Sequence, residues 1–209
     1  LAQKYKLKHL LGFISNNSGN SAEYAKAIAA QKAAGAVQIN VQLDDEDTKP
    51  SVAARNWIRM MKEADKIGGV VMSLEVHRDT CTETPEKTYE IAKLYKQAMG
   101  KMIKINFDFS HFAVVKHIGP ANYSSYLLKN KALVQNSDQS HCRPFNGHHC
   151  QVSVTHNGKL TPEVKSYLKF TEDLFRLWKN AKQNKDKTLY VCPEMGPYHV
   201  GGAGYNITG

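Results

Sequence analysis

Four polar residues lie at or near the ends of short runs that have the composition of buried strands. The runs are 69–76, 102–108, 139–145 and 188–194. All but the third are rich in β-branched or apolar residues. The polar residues are Glu75, Asp108, His141 and Glu194. Side chains at the carboxyl ends of neighbouring parallel strands converge in barrels, so we expect these four to share one site.

Such a set of side chains has the chemistry of a metal site. Three carboxylates brought together repel one another and raise each other's pKa unless a cation neutralises them. Oxygen-rich ligands with one imidazole suit a single divalent ion of the Mn, Mg, Co or Zn type. Each residue also has a structural alternative. Asp108 can cap the following turn and Glu75 can pair with Arg78. His141 can be a core histidine and Glu194 an ordinary loop acid.

The elements that would position these residues form a repeating strand-and-helix pattern. Two further strand-like runs occur at 6–14 and 36–43, and the first four runs begin roughly 30 residues apart, the length of one strand plus its crossover helix. Segments with helical spacing lie between the strands, at 21–34, 51–67, 85–99, 121–135 and 162–181. Prolines stand where helices should begin and glycines where they should end, at Pro50, Pro85, Pro162, Gly35, Gly68 and Gly100.

This pattern predicts a parallel α/β fold, either an open doubly wound sheet or a (β/α)8 barrel. The sequence contains neither a G-x-G-x-x-G after the first strand nor a P-loop, the usual nucleotide-binding signatures of open sheets. Six strands can be counted, whereas a full barrel has eight units in about 250 residues. We expect one domain over residues 1–209, either a smaller fold or a barrel lacking its first two βα units and its last helix.

Composition narrows the class of protein. The 209 residues are 42% hydrophobic and 22% charged, and no run approaches the roughly 18 apolar residues of a membrane span. The four cysteines include no C-x-x-C pair, which favours reduced thiols and a cytoplasmic location. The net charge is +9, but its lysines are spread over the predicted helices. Two interpretations of this charge remain open. The lysines form an ordinary solvated surface, or they weakly attract sugar phosphates or nucleic acid.

Several segments resemble, in order and spacing, the last four strand ends of the xylose-isomerase-like TIM-barrel superfamily of sugar isomerases and epimerases. They are SLEVHRDTCTETP (73–85), INFDFSHFAV (105–114), SHCRPFNGHHCQV (140–152) and LYVCPEMGPY (189–198). INVQ (39–42) is similar to the preceding strand of that family. The resemblance covers about residues 36–198, and it implies that the visible strands are numbers three to eight of a barrel.

The resemblance implies one divalent metal held by Glu75, Asp108, His141 and Glu194. It also implies that Glu75 and Glu194 act as acid and base on opposite faces of a substrate, through an enediolate. By the same resemblance His111 lies beside the metal and contacts a substrate hydroxyl or a bound water. The candidate catalytic residues are therefore Glu75, Glu194 and His111.

Five further residues are candidates for substrate binding, namely His77, Arg78, Arg143, Gln42 and Tyr198. Arg143 follows His141 by two residues, so it should project to the same side of the strand. Both arginines can bind substrate oxygens or a phosphate. Pairing with Asp79 or another acid of the site accounts for them equally well.

The expected function is that of a metal-dependent isomerase or epimerase of carbohydrate metabolism, acting on a small ketose, sugar phosphate or polyol. We expect no association with membranes, and self-association is left open. A keto-polyol dehydratase of the same superfamily is the nearest alternative. An endonuclease IV-type AP endonuclease fits less well, because that family has an aspartate two residues after the histidine matched by His141, and Arg143 stands there. A carbohydrate-binding barrel without catalysis is the remaining alternative.

Overall fold

Strands and helices alternate along the chain in the computed structural model, which describes residues 4–7 and 10–194. The elements are β1 (Leu10–Asn16), α1 (Ser21–Ala33), β2 (Ala36–Leu43), α2 (Pro50–Ile67), β3 (Val71–Glu75), α3 (Pro85–Met99), β4 (Ile105–Asp108), α4 (Phe109–Val115), α5 (Lys131–Asn136), β5 (Gln139–Cys142), β6 (Thr155–His156), β7 (Lys159–Leu160), α6 (Pro162–Lys179) and β8 (Tyr190–Pro193).

Six of the strands form a parallel sheet in the order β1-β2-β3-β4-β5-β8, which confirms the predicted parallel α/β fold. The short strands β6 and β7 pair with each other as an antiparallel hairpin. The described residues divide into two compact units, and the boundary between them falls between Asn106 and Phe107, within β4. No helix among residues 4–7 and 10–194 is long and apolar enough to cross a membrane.

Helix ends in the first unit follow the proline and glycine signals of the sequence. Pro50 and Pro85 occupy the first turns of α2 and α3, where the missing N–H costs no hydrogen bond. The Thr84 side chain also accepts a hydrogen bond from the Lys87 N–H. Gly68 and Gly100 end these helices with positive φ values of 63° and 67°, which glycine adopts without strain.

The central strands of the first unit are buried almost continuously. Six of the eight residues of β2 and four of the five of β3 are buried, as expected for parallel strands covered on both faces. Within these strands the buried polar side chains are Gln38, Asn40, Ser73 and Glu75. On each strand the two residues are separated by one position, so they share a face.

An aromatic cluster forms the core of the second unit. The rings of Phe107 and Phe109 stack with centroids 4.7 Å apart, and the Phe109 and Phe170 rings meet edge to face at 5.3 Å. The amphipathic helix α6 buries Phe170 and Trp178. Trp178 Nε1 donates a hydrogen bond to the Ser137 carbonyl at 2.7 Å, which attaches α6 to the segment that leads into β5.

The structure differs from the sequence prediction mainly after β4. The helix predicted over 121–135 is broken into a 3₁₀ turn (Pro120–Asn122), a π-helical turn (Tyr123–Leu127) and α5. The Asn130 side chain caps α5 by accepting from the Leu133 N–H, so this polar residue starts a new helix inside the predicted one. The short helix α4 was not expected, and it begins directly at the end of β4.

Candidate functional site

Asp108 ends β4 and caps α4. Its Oδ1 accepts hydrogen bonds from the Ser110 N–H at 3.0 Å and from the Ser110 hydroxyl at 2.5 Å. The structural alternative considered for Asp108, a cap of the next turn, is therefore present. The residue is 1% exposed, and its Oδ2 lies 2.5 Å from Arg143 Nη2. Capping thus uses one carboxylate oxygen and orients the other into the cluster.

His141 and Glu194 are brought together by the pairing of β5 with β8. His141 is in register with Cys192, and Glu194 follows Cys192 by two residues. The Glu194 N–H donates to the Cys142 carbonyl at 3.3 Å, so the parallel pairing continues to the glutamate. The result is a distance of 2.8 Å between His141 Nδ1 and Glu194 Oε2.

Asp108, His141 and Glu194 each offer one ligand atom, and these atoms lie within 4.8 Å of one another. Ligands around a magnesium-sized ion are about 3–4 Å apart, because each metal–oxygen distance is about 2.1 Å. Two carboxylates and an imidazole at this spacing fit a divalent cation after small side-chain shifts. We name these three residues the acid–imidazole cluster.

Arg143 is buried beside this cluster, with 1% of its surface exposed. Its Nη2 lies 2.5 Å from Asp108 Oδ2 and 3.7 Å from Glu194 Oε2, and its Nε donates to the Ser110 hydroxyl at 3.2 Å. A buried charge is stable only when it is paired and hydrogen-bonded. These contacts agree with the alternative in which Arg143 pairs with an acid of the site, and its role as a substrate ligand stays a prediction.

The carboxylates of the cluster are ionised at neutral pH. Burial opposes ionisation of Asp108, but the charges and hydrogen bonds of His111, Arg143 and Ser110 hold its pKa well below the ordinary range. Burial likewise opposes ionisation of Glu194, and the hydrogen bond with His141 and the charge of Arg143 lower its pKa. Metal ligation requires ionised carboxylates, so the cluster meets that condition.

His111 lies within the second unit with its ring fully buried. Its Nε2 is 3.4 Å from Asp108 Oδ2 and 3.0 Å from Arg143 Nη2, and its Nδ1 is 3.6 Å from Cys150 Sγ. Burial lowers the pKa of His111, but Asp108 outweighs it and raises the pKa to about 9. Both ring nitrogens face protein groups, which favours a role in holding Asp108. Direct contact of His111 with substrate stays a prediction.

Glu75 belongs to the first unit, where it is the last residue of β3 and is fully buried. Asn40 Nδ2 donates to Glu75 Oε2 at 2.6 Å, and Asn106 Nδ2 donates to Asn40 Oδ1 at 2.8 Å. Glu75 and Asn106 are also partners in the pairing of β3 with β4. This chain of buried amides fixes the direction of the Glu75 carboxylate.

Three predicted substrate-binding residues of the first unit line one cavity of about 260 Å³. They are Gln42, His77 and Arg78, and the same wall carries Asp44, Asp45 and Asp79. We name this space the acidic cavity. It lies where β1, β2 and β3 end, the usual position of ligand sites in parallel sheets. A second cavity, of about 170 Å³, lies before β3 and β4 and is lined mainly by apolar residues such as Trp57 and Met102.

Some residues of the site were not predicted from the sequence. Asn40 and Asn106 are polar residues inside apolar strands, and that contrast is a signal for a buried hydrogen-bond network. Cys150 had no comparable signal, because its partner His111 is distant in sequence. Ser110 had none either, because it lies in a helix, α4, that was not predicted. Tyr198 lies outside the described residues, so its assignment stays a prediction.

Comparison of the chain with protein-family models, curated proteins and solved structures found no match.

Proposed function

We propose that this chain is a divalent-metal-dependent sugar isomerase or epimerase of the xylose-isomerase-like barrel class, with its visible strands corresponding to barrel strands three to eight. The observation that carries the proposal is the convergence of Asp108, His141 and Glu194 at the ends of parallel strands. Strand ends are where barrel enzymes place their catalytic groups.

Glu75 is the proposed fourth ligand. It is paired with Asn106 on β4, and Asp108 follows Asn106 by two residues on that strand. Side chains two residues apart on a strand project to the same face, so the pairing supports placing Glu75 next to Asp108. Asn40 holds one oxygen of Glu75, as outer hydrogen bonds commonly do for metal ligands.

Charge supports a cation at this site. Glu75, Asp108 and Glu194 are three carboxylates against two cations, the guanidinium of Arg143 and the His111 imidazolium, which leaves an excess of negative charge. Carboxylates crowded in a low-dielectric site are unfavourable without positive charge. A metal ion would compete with Arg143 for Asp108 Oδ2, so Arg143 is expected to move when metal binds.

The two glutamates are the proposed proton carriers. A bound divalent ion would polarise the carbonyl and adjacent hydroxyl oxygens of a sugar. One of Glu75 and Glu194 would accept the proton from the carbon next to the carbonyl and later release it to solvent, and the other, after taking up a proton from solvent, would deliver it from the opposite face. Asn40 orients Glu75 and His141 orients Glu194, so each carboxylate is held in one direction before substrate binds.

Elemental analysis of protein purified without chelator tests the metal site. We expect about one equivalent of a divalent metal in the wild type, and its loss in Asp108→Asn and His141→Gln. Asp173→Asn is the matched control, because Asp173 lies on α6 and accepts hydrogen bonds from Ser124 and Lys169, neither of which is a proposed ligand. Absence of metal even after incubation with Mn²⁺ or Co²⁺ would overturn the proposal. Several zinc equivalents would favour the nuclease instead.

Exchange of carbon-bound hydrogen tests the reaction. In D₂O a metal-loaded isomerase or epimerase should incorporate deuterium at the carbon next to the carbonyl of its substrate, which NMR detects. Glu194→Gln should bind metal more weakly and abolish the exchange. Exchange that survives in Glu194→Gln would contradict the assignment of Glu194 as a proton carrier.

A further inference from the structure

We propose that the acidic cavity binds a neutral, polyhydroxylated end of the substrate and rejects a phosphate, so that the substrate is an unphosphorylated sugar or polyol. This inference rests on the proposed function. The proposed metal site acts only at the carbonyl end of a substrate, so it does not distinguish a free sugar from a sugar phosphate. The acidic cavity makes that distinction. The discriminating groups are Asp44, Asp45 and Asp79, which share a wall with the hydrogen-bonding residues Gln42 and His77.

The local charge around the cavity opposes that of the whole chain. The protein carries a net charge of +9, yet four consecutive acids follow β2, at residues 44–47. Arg78 is the only lysine or arginine in the described lining, and its Nε lies 3.9 Å from Asp79 Oδ2. A phosphate dianion would meet three carboxylates and one guanidinium that already faces an acid. Like charges brought together in this way discriminate strongly against a ligand.

Sugar hydroxyls suit the same surface. Ionised carboxylates only accept hydrogen bonds, and each hydroxyl donates one, so the pairing is charge-assisted and short. The amide of Gln42 offers both donors and an acceptor, as neighbouring hydroxyls require. The volume of about 260 Å³ lies below the roughly 300–1,000 Å³ typical of sites for drug-sized ligands, which suits a small polyol end.

A cation is a poorer occupant than a polyol, because the acids point to separate partners. Both oxygens of Asp44 accept from Asn56 Nδ2, at 3.2 and 3.1 Å. Asp45 Oδ1 accepts from the Thr48 hydroxyl at 2.7 Å. Within the described part of the chain, the acids of this cavity do not form a group with the spacing of metal ligands.

The cavity wall is held firmly next to Glu75. The Thr82 hydroxyl donates to the Glu75 carbonyl at 2.5 Å and accepts from the His77 N–H at 3.3 Å. The Thr80 hydroxyl donates to the His77 carbonyl at 2.8 Å. His77 and Arg78 follow Glu75 by two and three residues. The loop that carries the cavity residues is thus fixed to the end of the strand that carries a proposed proton carrier, and a preorganised wall supports selectivity.

The test compares free ketopentoses and ketohexoses with the same sugars carrying a terminal phosphate. Metal-loaded wild-type protein is assayed for deuterium incorporation and for binding by calorimetry. We expect the unphosphorylated series to be preferred by about 100-fold or more. In Asp45→Asn/Asp79→Asn the preference should fall by about 10-fold, because two negative charges are removed and Arg78 loses its carboxylate neighbour. Asp65→Asn, an exposed acid of α2 outside the cavity lining, is the control and should keep the preference.

The outcomes separate this inference from the function on which it rests. Exchange with the phosphorylated series only, or equally with both, would overturn the inference while supporting the enzyme. Metal-loaded protein that neither binds nor exchanges any sugar of either series would also overturn it. A preference that is unchanged in Asp45→Asn/Asp79→Asn would show that the cavity acids do not set it. Protein that takes up no metal would refute the proposed function itself.

Discussion

Asp108 in the acid–imidazole cluster and Asp44 in the acidic cavity are both buried aspartates at the end of a parallel strand, but their pKa values shift in opposite directions. Asp108 has Arg143 and His111 beside it, and its pKa is lowered despite burial. Asp44 accepts hydrogen bonds from the neutral amide of Asn56, and burial raises its pKa. Burial therefore does not decide the state of a carboxylate; the neighbouring charges do.

The difference assigns separate tasks to the two regions. The acid–imidazole cluster holds its carboxylates in short contacts, Asp108 with Arg143 and Glu194 with His141, so it is suited to exchange a guanidinium for a metal ion. In the acidic cavity, Asp45 and Asp79 are exposed and Arg78 is only partly buried. A region with carboxylates near solvent and amides beside them is suited to select hydroxyl groups.

The largest effect on stability is expected from removing the guanidinium that lies beside the acid–imidazole cluster. Arg143→Met should lower the free energy of unfolding of the metal-free protein by about 3–5 kcal/mol, because Asp108 would stay buried without its guanidinium. Added Mn²⁺ should stabilise this variant more than it stabilises the wild type, since metal no longer competes with Arg143. Urea unfolding with and without Mn²⁺ measures both quantities.

Arg176→Met is the matched control for that measurement. Arg176 pairs with Glu172 on the exposed surface of α6, and such a pair contributes at most about 1 kcal/mol. Its response to Mn²⁺ should equal that of the wild type. If Mn²⁺ stabilised Arg143→Met no more than the wild type, competition between Arg143 and a metal ion would be excluded.

A smaller loss of stability is expected from removing the Asn40 amide, which orients Glu75. Asn40→Ala removes the donor to Glu75 Oε2 and the acceptor for Asn106, so stability should fall by about 1–3 kcal/mol. Loss of a hydrogen bond to a metal ligand typically weakens metal binding by about 10–100-fold. Calorimetric titration with Mn²⁺ or Co²⁺ measures the affinity.

Strands β2 and β3 provide a control pair, Gln38 and Ser73, which precede Asn40 and Glu75 by two residues. Gln38 Nε2 donates to the Ser73 hydroxyl at 2.8 Å, another buried pair between β2 and β3. Gln38→Ala should cost a similar amount of stability and leave metal affinity unchanged, because Ser73 is not a proposed ligand. An equal loss of metal affinity in both variants would mean that loosening the sheet, rather than releasing Glu75, causes the effect.

The smallest effect is expected at Asp44, and it sharpens the contrast with Asp108. Burial raises the pKa of Asp44 in the folded protein above its ordinary value of 3.8. The folded state therefore holds this proton more tightly than the unfolded state. Stability due to Asp44 is greatest below pH 3.8 and declines as the pH rises through the raised folded value.

Asp44→Asn should remove this decline. At neutral pH the variant should match or exceed wild-type stability, with a change of about 1 kcal/mol or less, while binding to the cavity is weakened. Asn tolerates the left-handed backbone of residue 44, whose φ is 54°, so the substitution adds little strain. Thermal unfolding from pH 3.5 to 7 measures the difference, and a wild-type stability that rose with pH relative to the variant would contradict the raised pKa.

Local chemistry explains why so much of the fold was predictable. Proline in the first turn and glycine after the last turn act within a few residues, and they mark the bounds of α2 and α3. The segment 121–135 was mispredicted because Asn130 competes locally with the helix that its apolar spacing suggested. The start of α4 depends on Asp108, which the sequence pattern assigned to the metal site. Asp108 caps this helix with one carboxylate oxygen and faces the cluster with the other.

The sequence by itself determined which residues lie at or near the strand ends, because short apolar runs and helix-capping signals are local properties of the chain. That was sufficient to select Asp108, His141 and Glu194. The tertiary structure alone decided the partners: Arg143 on Asp108, Cys150 on His111, and Asn40 on Glu75. These contacts join residues 35 or more positions apart, and they depend on strand order and register, which no local pattern specifies.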